Sequence, residues 1–184
     1  MLLGFDKLQE LVKAQNIIEG LTQEELDKKG GIAFDVRLGE IHEFVGEGFL
    51  GIAGRKTPET TLLGKFQEGR STTVRLKPNK YYLVKTIEKF NCPTDLAFIL
   101  IPRSTLYRSG LILLSGLGDP GFKGECTFGL VNAHDKPFMI ELGTRICNVI
   151  FLRVEGKAEG YDGAYQGGKI GAEGRKGKRG LERP

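Results

Sequence analysis

The stretch from Pro102 to Asn132, PRSTLYRSGLILLSGLGDPGFKGECTFGLVN, decides how this chain of 184 residues is read. It holds strand-like apolar segments separated by Gly- and Pro-containing turns, which is the punctuation of a β protein. Arg103, Ser104 and Arg108 bring an Arg fork, a hydroxyl and a second cation, groups that hold anionic oxygens by charge-assisted hydrogen bonds. Asp119 stands in a Gly/Pro turn where solvent reaches a carboxylate, and Phe122 offers a flat apolar face. Taken singly, each has an ordinary reading: a solvated strand end with a turn Ser, a DPG turn, a core aromatic. Together they suit a nucleoside triphosphate.

The same punctuation continues outward. Short runs rich in Val, Ile, Leu, Thr, Phe and Tyr predict strands over 33–38, 72–76, 80–87, 96–101, 111–114, 125–132, 137–141 and 146–153. Residues 46–69 read as a hairpin or an irregular excursion. Leu3, Leu8, Leu11 and Val12 recur at helical spacing before Gly20, which predicts one short amphipathic helix over 5–15. The expected fold is therefore all-β, a sandwich or barrel with a single N-terminal helix. From Gly156 the composition turns Gly-rich and basic, with Lys169, Arg175, Lys176, Lys178, Arg179 and Arg183 against Glu173 and Glu182. Such a segment cannot build a core, so a β domain over 1–155 is followed by a tail over 156–184, mobile or ordered by a ligand.

With 40% hydrophobic residues the chain can bury one substantial core. A formal net charge of +4 is too mild for a protein that coats nucleic acid, yet it suits an anionic ligand. No run approaches the ~18 apolar residues of a membrane span, and no export signal opens the chain. Neither nucleic acid nor membrane is expected as a partner. Cys92, Cys126 and Cys147 are widely spaced without a CxxC pair, so neither a disulfide framework nor a zinc knuckle is indicated and a cytoplasmic setting fits. Gly116–Gly121 matches GxGxxG formally, but Pro120 denies the helix that a dinucleotide site requires. Gly163–Lys169 approaches a P-loop, yet Ile170 replaces the hydroxyl that would hold magnesium. The HxE and PCxxC of zinc-dependent base deaminases are absent, and His42 and His134 have no ligand cluster in sequence.

Read in order, the motifs resemble the superfamily of trimeric dUTP diphosphatases and dCTP deaminases over nearly the whole chain. FDVRLG at 34–39 resembles the family's YDLRLG, PRSTL at 102–106 its PRSSL, and DPGFKG at 119–124 its IDPGFxG. GTRI at 143–146 is similar to the GxRI strand, and Tyr161 with Tyr165-Gln166-Gly167 to the closing Y…KYQGQ segment. The resemblance implies a distorted jelly-roll, a dUTPase-like β-clip barrel assembled as a homotrimer with active sites between subunits. It implies that the pyrimidine is read mainly by backbone groups of a hairpin at about 113–119. It also marks departures: Ala164 for the usual Lys, Gly168 for the second Gln, Gly118 for the Ile or Val before the aspartate, and Asn148 for a Gln.

Two chemistries belong to this family, and two positions separate them. Deaminases carry a proton-shuttling glutamate ten positions beyond the IDPGF aspartate; here that position is Gly129, which has nothing to titrate. Glu125 lies on the same strand face, but more than ten ångströms along at roughly 3.3 Å per residue. Diphosphatases need a carboxylate to deprotonate the water that attacks the α-phosphorus, and Asp119 stands at that position. The expectation is thus hydrolysis of dUTP to dUMP and pyrophosphate with Asp119 as base and Mg2+ held chiefly by the triphosphate. Arg103, Ser104, Thr105, Arg108, Gly118, Phe122, Tyr161, Gln166 and Lys169 are the expected substrate contacts. Asp35 either helps the metal through water or is structural. The alternatives are dCTP deamination, alone or combined with dUTP hydrolysis, and a catalytically weak nucleotide-binding interaction protein.

Overall fold

Alternating apolar residues drive nearly half of this chain into strands, and the first of its helices is the one its periodicity announces. In a computed structural model, which describes residues 1–52, 54–171 and the backbone of 173–175, α1 (Phe5–Gln15) buries Phe5, Leu8 and Leu11. It stops at Asn16, whose φ of 51° is the left-handed conformation that ends helices. Then follow β1 (Ile18–Glu19), α2 (Gln23–Leu26), β2 (Phe34–Val45), β3 (Phe49–Leu50), β4 (Gly54–Lys56), β5 (Glu59–Lys65) and β6 (Thr73–Leu76). The second half comprises β7 (Lys80–Asn91), β8 (Leu96–Pro102), α3 (Ser104–Arg108), β9 (Leu111–Leu114), β10 (Leu117–Gly118), β11 (Lys123–Asn132), β12 (Phe138–Glu141), β13 (Arg145–Arg153) and β14 (Glu173–Arg175).

The fold is all-β, with one curled nine-stranded sheet in the order β10-β8-β13-β2-β7-β11-β9, joined by β1 on β7 and β5 on β2. Two small sheets, β12-β6 and β14-β4-β3, complete it. Each expected strand is present, several of them longer than patterning indicated. The segment 46–69 resolves into β3, β4 and β5, and β5 pairs with β2 from Glu40↔Lys65 to Val45↔Glu59. The expectation of a single helix is corrected twice: Thr22 Oγ1 accepts the Glu25 N–H at 3.3 Å and caps α2, and the residues after Pro102 form the short helix α3, because Arg103 is extended and its carbonyl accepts the Leu106 N–H at 3.0 Å to start a helical turn. Basic residues 176, 178, 179 and 183 of the tail, and the side chain of Arg175, lie outside the described residues. No helix among the described residues is long and apolar enough to cross a membrane.

Aromatic packing centres on Phe98, whose ring stacks on Phe90 at 4.4 Å and meets Phe151 at 5.6 Å. All three cysteines are buried and free, and burial pushes the Cys92 thiol up to about 12. A charged pair also crosses the core. Glu88 is wholly buried and accepts bonds of 2.7 Å from the Arg37 backbone N–H and from its Nε. Burial raises the Glu88 pKa above the ordinary 4.5, and the Arg37 bonds oppose that rise.

Replacing Arg37 strands a buried carboxylate, so Arg37→Met is expected to cost about 3 kcal/mol in urea unfolding at neutral pH. Because an acid with a raised folded-state pKa destabilises the fold as pH rises, this loss should shrink on acidification towards 4.5. A pH-independent loss would show that Glu88 does not ionise there.

Candidate active site

Asp119 reaches the surface because the strand before it is pressed against the core. A Cβ on Gly118 would lie 2.0–2.3 Å from the Phe98 ring, so glycine alone lets β10 lie on β8, with Gly118 opposite Phe98. This explains physically why the Ile or Val of the family motif is absent. The turn after it is pinned by its backbone: Gly121 N–H donates to Cys92 O at 3.0 Å and Cys92 N–H to Phe122 O at 2.9 Å. Gly121 takes a φ of 82°, which side chains rarely adopt. The outcome is an exposed Asp119 beside a half-buried Phe122.

Asp119 and Phe122 border a cavity of about 400 Å³. Its walls are mostly apolar, with Phe44, Leu83, Leu100, Leu117 and Phe128 among them, and Asp119 and Glu125 are the only carboxylates among its described lining. Glu125 is held by Lys85 at 3.4 Å and Lys89 at 3.9 Å. Of the expected contacts, Gly118, Tyr161 and Lys169 also line this cavity, and Lys169 is the only cation among its described walls.

The tail is docked along one side. The Tyr161 ring meets Phe122 edge-on at 5.8 Å, and Tyr161 N–H donates to Pro120 O at 2.8 Å. Gln166, expected to touch substrate, instead grips backbone: its Nε2 donates to Gly121 O and Tyr161 O, and its Oε1 accepts Lys123 N–H at 2.9 Å. Glycine makes this approach feasible, since a Cβ on Gly124 would stand 2.4 Å from Gly168 N. Beyond the cavity the tail backbone pairs as β14 with β4.

The expected phosphate ligands are elsewhere in the chain. Arg103, Ser104, Thr105 and Arg108 do not line the cavity, and Ser104, Thr105 and Arg108 are exposed on α3. Arg103 Nη1 donates to Asp35 Oδ2 at 2.5 Å, while Asn148 bonds the other Asp35 oxygen. Lys28 and Arg145 each stand 3.6 Å from Asp35 Oδ2. Beside them Glu25 accepts the Asp35 N–H at 2.9 Å. Desolvation raises the Glu25 pKa, but that bond, Lys28 and Arg145 together hold it below the ordinary value. The chain therefore carries two separate groups of expected site residues.

Gly129 is buried on β11, opposite Leu83 and Leu114. A Cβ there would lie 2.1 Å from the Tyr81 hydroxyl, so the phenol occupies the space into which a side chain at 129 would grow. Tyr81 in turn packs on Phe44 of the cavity wall at 5.6 Å.

A family model described as dCTP deaminase-like matches residues 2–154. The chain belongs to that family. The family includes both names expected from the motifs. A probable deoxyuridine 5'-triphosphate nucleotidohydrolase of Methanothermobacter thermautotrophicus is 32% identical over 143 residues, covering 78% of this chain and 89% of that protein. A dCTP deaminase of Thermococcus kodakarensis is 31% identical over 160 residues, 86% and 90% of the two chains. The fold is similar to that of a 2'-deoxycytidine 5'-triphosphate deaminase from Agrobacterium tumefaciens, with a TM-score of 0.61 and 17% identity, covering 84% of this chain and about half (48%) of that one.

Patterning missed Phe44, Thr57, Pro58, Leu83 and Thr127 as cavity walls, since each reads as an ordinary strand or turn residue until the sheet curls. The clasp made by Gln166 gives a direct test. Gln166→Ala should speed amide exchange over residues 161–168 while leaving the unfolding midpoint of the β domain in place; unchanged exchange would show that the carboxamide does not hold the tail.

Proposed function

We propose that this member of the dCTP deaminase-like family is a dUTP diphosphatase, working as a homotrimer whose sites lie between copies. The observation that carries the reading is the contrast between Asp119, on the cavity wall, and Gly129, which is not among the described lining of the cavity. Asp119 offers an exposed carboxylate, whereas at 129 there is neither an acid nor room for one beside Tyr81. General acid/base work needs its group within hydrogen-bond reach of the reacting atoms.

In this proposal Asp119 takes a proton from water as the water oxygen bonds the α-phosphorus of dUTP. The bond from that phosphorus to the bridging oxygen breaks, and pyrophosphate leaves with the electron pair. Catalysis of this kind comes mostly from positioning and charge stabilisation. Among the described walls Lys169 is the one cation, a small counterweight to a triphosphate, and this favours a second copy. Arg103, Ser104 and Arg108 of a neighbouring copy would hold the phosphates, and Thr105 would lie beside them. Phe122 would pack under the deoxyribose, Gly118 would lend backbone to the base, and Tyr161 would cover the sugar.

Magnesium enters as the companion of the triphosphate oxygens. Both oxygens of Asp35 are already bonded by Asn148 and Arg103, and no group of three or more His, Cys, Asp or Glu that could hold a cation occurs among the described residues. These side chains do not fit a resident magnesium site, and no step is assigned to one. Deamination of dCTP, alone or alongside dUTP hydrolysis, is the second reading. It is favoured by the relatives' names and by Glu125 as the other carboxylate of the cavity.

Incubation with dUTP and dCTP, following pyrophosphate and ammonia separately, distinguishes the readings. Pyrophosphate from dUTP without ammonia from dCTP is expected; ammonia would overturn the argument from Gly129, and neither product would leave nucleotide binding alone. Asp119→Asn should lower pyrophosphate release by about 10²-fold or more while nucleotide binding stays measurable. Unchanged turnover would remove Asp119 from the mechanism.

A further inference from the structure

Between α1 and β2 the chain builds a holder for one lysine. Thr22 caps α2, and Glu25 turns inward, where its side chain is 5% exposed and accepts the Asp35 N–H at 2.9 Å. Lys28 follows two residues after the helix ends, and Gln9 of α1 fixes the loop by donating from Nε2 to Leu26 O at 2.5 Å and to Lys28 O at 3.4 Å. The Lys28 ammonium then stands 3.3 Å from Glu25 Oε2 and 3.6 Å from Asp35 Oδ2. That Asp35 oxygen is the one bonded by Arg103 Nη1 at 2.5 Å, and Arg145 lies 3.6 Å from it. Three cations therefore gather on one oxygen. The carboxylates beneath, Asp35 and Glu25, are buried, whereas Lys28, Arg103 and Arg145 keep 38%, 28% and 42% of their side chains exposed. Among the described residues the one exposed carboxylate paired to these cations is Glu24, 3.5 Å from Arg145, and a surface pair of that kind holds weakly. Buried acids under exposed cations leave a positive face toward solvent.

We propose that Lys28 is a further substrate-contacting residue, its ammonium holding the phosphate chain beside Arg103. This rests on the reading in which Arg103 of one copy meets the nucleotide at the Asp119 cavity of another. Because they reach the same oxygen at 3.6 and 2.5 Å, Lys28 Nζ and Arg103 Nη1 stand no more than about 6 Å apart, so a triphosphate that bonds one passes within range of the other. An ammonium carries three donors, and both of its carboxylate contacts are longer than the roughly 2.7–2.9 Å of a close charge-assisted bond, which leaves donors for phosphate oxygens. Lysine suits this place as a mobile point charge, while the Arg103 fork is fixed by Asp35. The contribution grows with the charge of the phosphate chain and does not touch the base. It therefore separates a triphosphate from a monophosphate, and not uracil from cytosine.

The test compares Lys28→Met, which keeps an apolar stem and removes the charge, with Lys28→Arg, which keeps the charge, and with Arg103→Met as the reference for the phosphate site. Binding of α,β-imido-dUTP and of dUMP to the full chain is measured by calorimetry, with oligomeric state and thermal unfolding followed alongside. Lys28→Met should weaken α,β-imido-dUTP by about tenfold and dUMP by no more than about twofold. Lys28→Arg should bind the triphosphate analogue within about threefold of wild type. If Arg103→Met weakened the analogue while Lys28→Met bound it as tightly as wild type, this proposal would be overturned and the reading of the site would stand. Equal losses for both ligands, or a loss that follows a fall in stability or of oligomer, would also overturn it, by making Lys28 a structural residue. If neither Lys28→Met nor Arg103→Met weakened the analogue, or if the wild type did not bind it, the reading of the site would fall, and this proposal with it.

Discussion

The ring of Phe98 is where the core and the candidate active site meet. It stacks on Phe90, packs against Phe151 and meets Phe122 edge-on at 6.1 Å, and Phe122 in turn meets Tyr161 of the tail. Above the ring, Gly118 has no side chain, so the strand carrying Asp119 settles directly on the core. A rigid scaffold under this turn fixes the position of a group that would otherwise move with its loop. Departures from the family motif at 118 and at 129 then share one logic. In each a glycine gives up its side-chain space to an aromatic from a neighbouring strand, Phe98 in one case and Tyr81 in the other. The first exchange positions an acid, and the second fills the place of an acid.

Much of the fold is legible in the sequence because apolar alternation and Gly/Pro punctuation act locally. The helix at 5–15 and the strand at 111–114 appear at the expected bounds. What patterning could not deliver depends on pairing partners. The short strands β3, β4 and β10 have little periodicity of their own, and β5 is fixed by β2 alongside it. Helix α3 is hidden because its five residues span less than two helical turns, too few for an apolar repeat to show. At the site, Asp119, Phe122, Tyr161 and Lys169 are brought to one cavity as the motifs suggested. The remaining walls, Phe44, Leu83 and Thr127, come from strands whose sequence carries no chemical signature. Gln166 shows the reverse case, a residue of a recognisable motif whose amide is spent on backbone.

The division of expected site residues into two groups is the feature with most bearing on mechanism. Asp119 stands at an apolar cavity with one cation among its described walls, while Arg103 is bonded to Asp35 on another part of the chain. On the proposed reading, a site built between copies would reconcile the two, and assembly would then be a condition of catalysis. In that account Asp35, Asn148 and Glu25 hold Arg103 in place for a neighbour's substrate, a positioning role that explains why so many charges converge on a buried aspartate.

The most direct measurement of this account mixes two variants, Asp119→Asn and Arg103→Ala, unfolded together and refolded as a mixture. Each alone should release almost no pyrophosphate from dUTP. The mixture should recover activity to roughly a quarter of wild type, the statistical share of sites in which an intact Asp119 meets an intact Arg103 from the next copy. A mixture that refolds into the same oligomer as wild type but stays as inactive as its parts would contradict it.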